Sequence, residues 1–151
     1  MYRCQSCFVL IGNERDGDED MERTAVDPVN WSVALGFHQG ELVTGPTRTL
    51  YCSGQTSTNS DGTPVHEGDM GAQLTLSLDN LDAVLAGAEM SISNVVRLGV
   101  YTTDVDLLFQ HYGVLMARLG AAGVAPTTTM LGVARLAIPG QMIEIDAIAV
   151  G

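Results

Sequence analysis

Apolar residues recur at steps of three and four between Asp69 and Ala88, the spacing of one face of an amphipathic helix. The predicted apolar stripe contains Met70, Leu74, Leu78, Leu81, Leu85 and Ala88. Its polar face carries Gln73, Asp79 and Asp82. The same spacing predicts a second helix over residues 105–119, with Asp104 as its N-cap and Gly120 with Gly123 at its end. Each stripe is expected to pack on a sheet.

Alternating side chains mark the final segment, residues 142–150, as a strand. One face of this strand carries Ile143, Ile145, Ala147 and Ala149. The other face carries two carboxylates, Glu144 and Asp146, which a strand places roughly 6–7 Å apart. Because an edge strand usually carries Lys, Pro or a bulge, this strand is predicted to lie inside a sheet.

The remaining strands complete an α+β pattern. Residues 31–40 and 47–54 flank a Gly-Pro turn and predict a long β-hairpin, and residues 94–103 and 127–136 are strand-like through their β-branched and aromatic content. This order predicts one sheet with both helices on one face. No helix remains for the other face, so we expect a second copy of the chain to cover it in a homo-oligomer.

Composition narrows the classes of function. With 151 residues and 46% hydrophobic content, the chain is long enough for one well-packed domain. Its net charge is −11 and all seven basic residues are Arg, which disfavours nucleic-acid binding and leaves no Schiff-base or phosphate-loop lysine. Three cysteines without framework spacing fit a reducing compartment, and no apolar run is long enough to span a membrane. We therefore expect a soluble, cytoplasmic protein without a signal peptide.

Residues 1–20 differ from the rest of the chain. Acidic residues crowd between positions 14 and 20, which predicts a disordered N-terminal extension and places the folded domain at residues 21–151. Cys4 and Cys7 form a Cys-x-x-Cys pair, but no second pair or βαβ context accompanies it. Neither a metal site nor a redox role is expected there.

Glu144 is the main candidate for chemistry. It is either a paired acid in a core strand or an acid facing a small-molecule cleft, where desolvation would help it handle a water or a proton. Ser53 ends a strand without the Gly-x-Ser-x-Gly elbow of a hydrolase, and the adjacent Gly54 would let a ligand approach the backbone. His38, His66 and His111 lack zinc-ligand spacing, so no metal is expected.

Three segments in combination resemble the reactive-intermediate deaminase family, also called Rid, YjgF or L-PSP. They are Leu-Tyr-Cys-Ser-Gly-Gln at residues 50–55, residues 73–85 with Leu-Asp-Asn-Leu inside them, and residues 126–150 with Val-Ala-Arg-Leu and Ile-Glu-Ile-Asp-Ala-Ile-Ala-Val. The likeness covers about residues 24–150. It implies a chorismate-mutase-like fold, a homotrimer with ligand clefts between subunits, and a final strand that does not pair with the strand before it.

The resemblance also implies an activity. Well-known members of this family hydrolyse imines and enamines to carbonyl products and ammonia without metal or cofactor. Glu144 matches the glutamate that positions water, and Gly54, with Ser53 before it, matches the backbone site for the ligand. Thr128 stands where the family has an arginine that grips the substrate carboxylate in a two-pronged pair. Met130 and Trp31 stand where cysteine and tyrosine are usual.

The expected function is therefore an imine or enamine deaminase with an atypical small-molecule substrate. A non-catalytic member that binds a metabolite or protects other proteins is the alternative, and ribonuclease activity is disfavoured by the charge. Arg48 offers two interpretations. It either leans into the cleft and replaces the missing charge, or it lies on the surface as most arginines do, and the surface position is favoured.

Overall fold

The computed structural model describes residues 21–29, 31–45 and 48–151. The predictions for the N-terminal extension, including Cys4 and Cys7, lie outside these residues. The described chain contains two sheets and two long helices, joined by short 3-10 turns at Val33–Leu35 and Ile92–Asn94. In chain order the elements are β1 (Glu22–Val26), β2 (Gly40–Thr44), β3 (Thr49–Gln55), α1 (Met70–Gly87), β4 (Val95–Thr102), α2 (Val105–Ala122), β5 (Thr127–Gly132) and β6 (Ile143–Val150).

The main sheet has four strands in the order β3-β6-β4-β5. β6 pairs antiparallel with β3 on one side and with β4 on the other, while β4 and β5 are parallel. The prediction of an interior final strand is confirmed, and so is the expectation that β5 and β6 are not partners. Parallel neighbours require a crossover connection, and α2 supplies the one between β4 and β5.

Both helices pack on one face of this sheet, as the stripes predict. Met70 and the four leucines of the α1 stripe are at most 1% exposed, and they meet the inward face of β6 in a single core. The Asp69 and Asp104 carboxylates accept backbone N–H groups at the first turns of α1 and α2, which confirms the second as the predicted cap. The α+β prediction, with two helices on one face of a mixed sheet, is confirmed.

Two predictions at the helices and β5 are wrong, and a third is confirmed in part. α2 continues through Gly120 to Ala122, and the predicted Gly123 is its C-cap, with a φ of 68° in the left-handed region that favours glycine. Gln73 is buried rather than on a polar face, because its side-chain amide bonds three backbone groups next to β6: the carbonyls of His66 and Gly140 and the N–H of Met142. β5 ends at Gly132 and not at Leu136, and the Val133 N–H makes one further bond to the Thr102 carbonyl.

The predicted long hairpin is also wrong. Residues 31–36 form turns and a short 3-10 helix rather than a strand, and β2 pairs with β1 in a separate two-stranded sheet. Arg23 on β1 forms an ion pair with Glu41 of β2, and its bonds to the carbonyls of Ser93 and Val95 connect this small sheet to the start of β4. β3 instead pairs with β6, where it places Cys52 in the main core.

Candidate functional site

Glu144 and Gly54 lie against each other on neighbouring strands. The β3–β6 pairing is irregular between Cys52 and Gln55, and this brings the Gly54 backbone under the Glu144 carboxylate. A Cβ atom on Gly54 would stand 1.7 Å from Oε1 of Glu144, so no other residue fits here without moving the acid. The sequence analysis expects a ligand to approach the Gly54 backbone directly, but the Glu144 carboxylate occupies that space. Ser53 contributes its carbonyl, which accepts a bond from the Gln55 amide at 3.2 Å.

The two carboxylates of β6 share the sheet face opposite the helices but have different surroundings. Asp146 accepts the Tyr101 hydroxyl at 3.0 Å, and this bond is the main reason that the pKa of Tyr101 lies above its ordinary value. Glu144 has no hydrogen bond or ion pair with any described residue, although it is partly buried. Of the two acids, Glu144 is therefore the one whose oxygens are available to a ligand or a water.

Thr128 and Met130 lie on the other side of the sheet. Their partners in β4 are the core residues Leu98 and Val100, and residues directly opposite on paired strands share a face. With four further residues they line an apolar cavity of about 300 Å³ between β5 and α2: Leu35, Phe37, Phe109 and Tyr112. Trp31 adjoins this cavity through an edge-to-face contact with Phe37, with ring centroids 5.7 Å apart.

One protomer does not bring all of these residues together. Glu144 and Gly54 face away from the helices, whereas Thr128 and Met130 face toward them, two strands away in the sheet order. Side chains on opposite faces of a sheet cannot contact the same small ligand. Glu144 with Gly54, which we call the acid half, and Thr128 with Met130, which we call the edge half, are thus separate in a single chain.

Arg48 lies on the surface, as the favoured interpretation holds. Its guanidinium donates to the Ala88 carbonyl at 3.2 Å and stands 3.7 Å from the exposed Glu89 carboxylate at the end of α1. β3 and β5 form opposite edges of the sheet, so within the protomer Arg48 does not reach Thr128.

A second cavity was missed by the sequence interpretation. It measures about 410 Å³, borders on Thr128, and lies between residues 37–39, Arg97 on β4 and residues 127–129 on β5. The available signal was Arg97 itself, a single cation in the otherwise apolar and small-residue strand Val-Val-Arg-Leu-Gly-Val. His38 was singled out only as a histidine without zinc spacing, and its ring pairs with Asp27 at 2.7 Å.

Two further properties bear on the kind of site. Within residues 21–29, 31–45 and 48–151, no three His, Cys, Asp or Glu side chains are grouped so that they could hold a metal ion. Neither α1 nor α2, the long helices of this part of the chain, has the length and apolarity needed to cross a membrane.

Comparison with known proteins supplies the family. Residues 36–151 match the protein family described as endoribonuclease L-PSP. The chain is also 32% identical over 129 residues to the RutC family protein YjgH of Escherichia coli K12, a match that covers 85% of this chain and 95% of that protein.

Solved structures of similar fold support the same family. A Rid-family protein of unknown function, YyfB from Yersinia pestis, superposes with a TM-score of 0.76 at 31% identity, covering 85% of this chain and 98% of that one. Escherichia coli TdcF with bound serine superposes with a TM-score of 0.62 at 27% identity, covering 76% and 87% of the two chains. The chain therefore belongs to the L-PSP family, also called the Rid or YjgF family.

Proposed function

We propose that the protein is an imine and enamine deaminase in which Glu144 positions the attacking water. The observation that carries this proposal is that Glu144 is partly buried but forms no hydrogen bond or ion pair with a described residue. Its carboxylate packs against the backbone of Gly54, which has no side chain. An acid with free acceptor oxygens at such a position can bind a water molecule and accept its proton.

The reaction needs only water and proton transfer. An enamine first tautomerises to its imine, and water then adds to the carbon of the C=N bond while Glu144 takes a proton from that water. The protonated nitrogen leaves as ammonia when the carbon–oxygen double bond forms, so imine and water give a carbonyl product and ammonia. Glu144 returns its proton in the second half of the cycle, which leaves the protein unchanged.

The edge half sets which substrates are accepted. Thr128 has one O–H group, and it donates that proton to the Pro126 carbonyl at 2.9 Å. The Thr128 side chain therefore has no hydrogen-bond donor left for a substrate carboxylate. An arginine at this position would offer two charged N–H groups in parallel. We therefore expect an atypical substrate, small and derived from an amino acid. The serine bound by TdcF is a ligand of that size and class.

A cleft that uses both halves requires a second copy, because the acid half and the edge half occupy opposite faces of one sheet. We propose a homotrimer in which the acid half of one subunit meets the edge half of the next. Sedimentation should give about three times the 16.0 kDa chain mass at micromolar concentration. A single species with the mass of one chain would contradict the shared cleft.

Replacing the acid tests the catalytic role. Glu144→Gln keeps the shape of the side chain but cannot take a proton, so ammonia release should fall by about 10²- to 10⁴-fold. The assay couples an imine-generating enzyme to ammonia detection over a panel of amino-acid-derived imines. The control is Glu22→Gln, which makes the same charge change on the exposed strand β1.

The alternative is a non-catalytic protein that binds a metabolite or protects other proteins. If wild type and Glu144→Gln both release ammonia no faster than buffer across the panel, this alternative replaces the deaminase. Ribonuclease activity is not favoured, because a net charge of −11 repels the RNA phosphates.

A further inference from the structure

The cavity between β5 and α2 is lined by uncharged side chains. The described residues around its volume of about 300 Å³ are Leu35, Phe37, Phe109, Tyr112, Thr128 and Met130. Arg97, on the strand beside β5, lies opposite Thr127 and so on the other face of the sheet. A carboxylate placed in this cavity would lose its water without meeting a counter-ion from the chain, which is unfavourable. The cavity therefore suits a ligand without charge.

Aromatic rings dominate the walls of this cavity. Phe109 and Tyr112 lie on α2 with ring centroids 5.7 Å apart, and Phe37 comes from the loop that also carries Trp31. Phe109 is 58% exposed and Leu35 is 52% exposed, and large apolar side chains gathered at one exposed place mark a binding surface. An apolar cavity of about 150 Å³ holds benzene, so this one has room for a ring with a short chain.

Tyr112 supplies the free hydrogen-bond donor of the cavity. Of the lining residues only Tyr112 and Thr128 carry a side-chain O–H group, and Thr128 donates its proton to the Pro126 carbonyl. The Tyr112 hydroxyl has no hydrogen-bond partner among the described residues, and burial raises its pKa. It is therefore protonated at neutral pH and can donate to one acceptor atom of a ligand.

We propose that this cavity is the substrate site for neutral imines that carry an aromatic ring. The ring lies against Phe37 and Phe109, and the imine nitrogen accepts the Tyr112 hydroxyl. The inference rests on the proposed function and names its substrate class: imines of arylalkylamines, which hydrolysis converts to aldehydes and ammonia. This class differs from the carboxylate-bearing substrates that the resemblance implies, because the cavity offers a carboxylate no charged partner.

Two probes of the same shape test the site without requiring turnover. Phenylacetamide has a ring and a carbonyl acceptor but no charge, and phenylacetate carries a carboxylate in place of the amide. Calorimetric titration into the full-length protein should give phenylacetamide a Kd lower than that of phenylacetate by about tenfold or more, because the carboxylate is desolvated without a partner. Thr128→Arg should reverse this order, since its guanidinium would pair with the carboxylate.

Variants at the walls locate the binding. Phe109→Ala should raise the Kd of phenylacetamide by about tenfold, because an aromatic contact is lost at a side chain too exposed to hold the fold together. Its control is Leu42→Ala, which truncates a similarly exposed apolar side chain on β2, outside the cavity. Tyr112→Phe keeps the ring and should raise the Kd by about three- to tenfold through loss of one neutral hydrogen bond. Tyr51→Phe removes the same atom outside the cavity and should bind as wild type does.

Three results would overturn the inference. They are the absence of phenylacetamide binding by wild type, equal affinity for phenylacetamide and phenylacetate, and equal losses of affinity in Phe109→Ala and Leu42→Ala. Binding of phenylacetamide by Tyr112→Phe with the wild-type Kd would overturn the role given to the hydroxyl.

The two proposals fail in different ways. Phenylacetamide binding that depends on Phe109, without ammonia release from any imine, would refute the deaminase and leave the aromatic site standing. Ammonia release that depends on Glu144, without phenylacetamide binding, would refute the aromatic site and leave the deaminase.

Turnover joins the two proposals. When a flavin-dependent amine oxidase supplies the imine of 2-phenylethylamine, wild type should accelerate ammonia release, and Phe109→Ala should lose about tenfold of that acceleration at low substrate. Glu144→Gln should lose the acceleration and still bind phenylacetamide, since Glu144 is not among the residues that line the cavity. Faster ammonia release from 2-imino acids than from this neutral imine would contradict the substrate class.

Discussion

The acid half and the edge half differ in how closely the backbone determines them. In the acid half, strand pairing places Gly54 under Glu144 so tightly that a single Cβ would displace the carboxylate. In the edge half, Thr128 borders two cavities of about 410 and 300 Å³, and Met130 borders the smaller one. Residues 37–39 contribute to the wall of the larger cavity, and Leu35, Phe37 and α2 contribute to that of the smaller. The comparison teaches that the acid half is fixed by strand register, whereas the edge half is open to change, because a cavity wall can change without disturbing a strand register.

Among variants that leave Glu144 itself in place, Gly54→Ala should give the largest effect. The new methyl group would push the Glu144 carboxylate aside, and a displacement of about 1 Å at a reacting group can cost about a hundredfold in rate. The free energy of unfolding should fall by only about 1 kcal/mol, because the obstructing atoms are the mobile end of one side chain. Ammonia release and urea unfolding measure the two effects.

The control for that variant is Gly113→Ala, in α2, where nothing lies within 4 Å of the added methyl group. It should leave ammonia release unchanged and raise stability by roughly 0.5–1 kcal/mol, since glycine weakens a helix. Equal activity losses in both variants would mean that the contact between Gly54 and Glu144 is unimportant.

Thr128→Arg should give an intermediate effect of opposite sign. A guanidinium at this position offers a charged fork to a carboxylate, so turnover of 2-imino acids should rise by about tenfold or more. No gain in turnover, with the oligomer intact, would show that the rest of the edge half no longer admits a carboxylate.

Tyr101→Phe should give the smallest effect. It removes the bond to Asp146 and should lower the free energy of unfolding by about 0.5–1.5 kcal/mol at neutral pH. Folding raises the pKa of Tyr101, so this contribution is complete below the unfolded-state pKa of about 10 and is lost as pH rises through the higher folded value. Wild type and variant should therefore converge in stability at high pH.

Tyr51→Phe is the matched control, since Tyr51 is 75% exposed on β3 and makes no hydrogen bond with a described residue. Its stability should match that of wild type at every pH. A gap between Tyr101→Phe and wild type that stays constant through alkaline pH would contradict the role given to the bond with Asp146.

Local periodicity determined much of the fold. The leucine stripe of α1, the cap at Asp104 and the alternation along β6 could all be interpreted from neighbouring residues, because helices and strands impose periods of 3.6 and 2 on their own segments. The resemblance added the separation of β5 from β6, which no local pattern contains. It also pointed to Glu144 and Gly54, and the structure places these two in contact.

Only the tertiary structure decided which distant segments meet. The pairing of β1 with β2, the burial of Gln73 and the bond that occupies Asp146 but leaves Glu144 free all join residues far apart in the chain. The cavity of Arg97 and His38 arises in the same way, from a loop and two strands. A sequence records the chemistry of each side chain, but its partners depend on strand order and register, which are set by the packing of the whole domain.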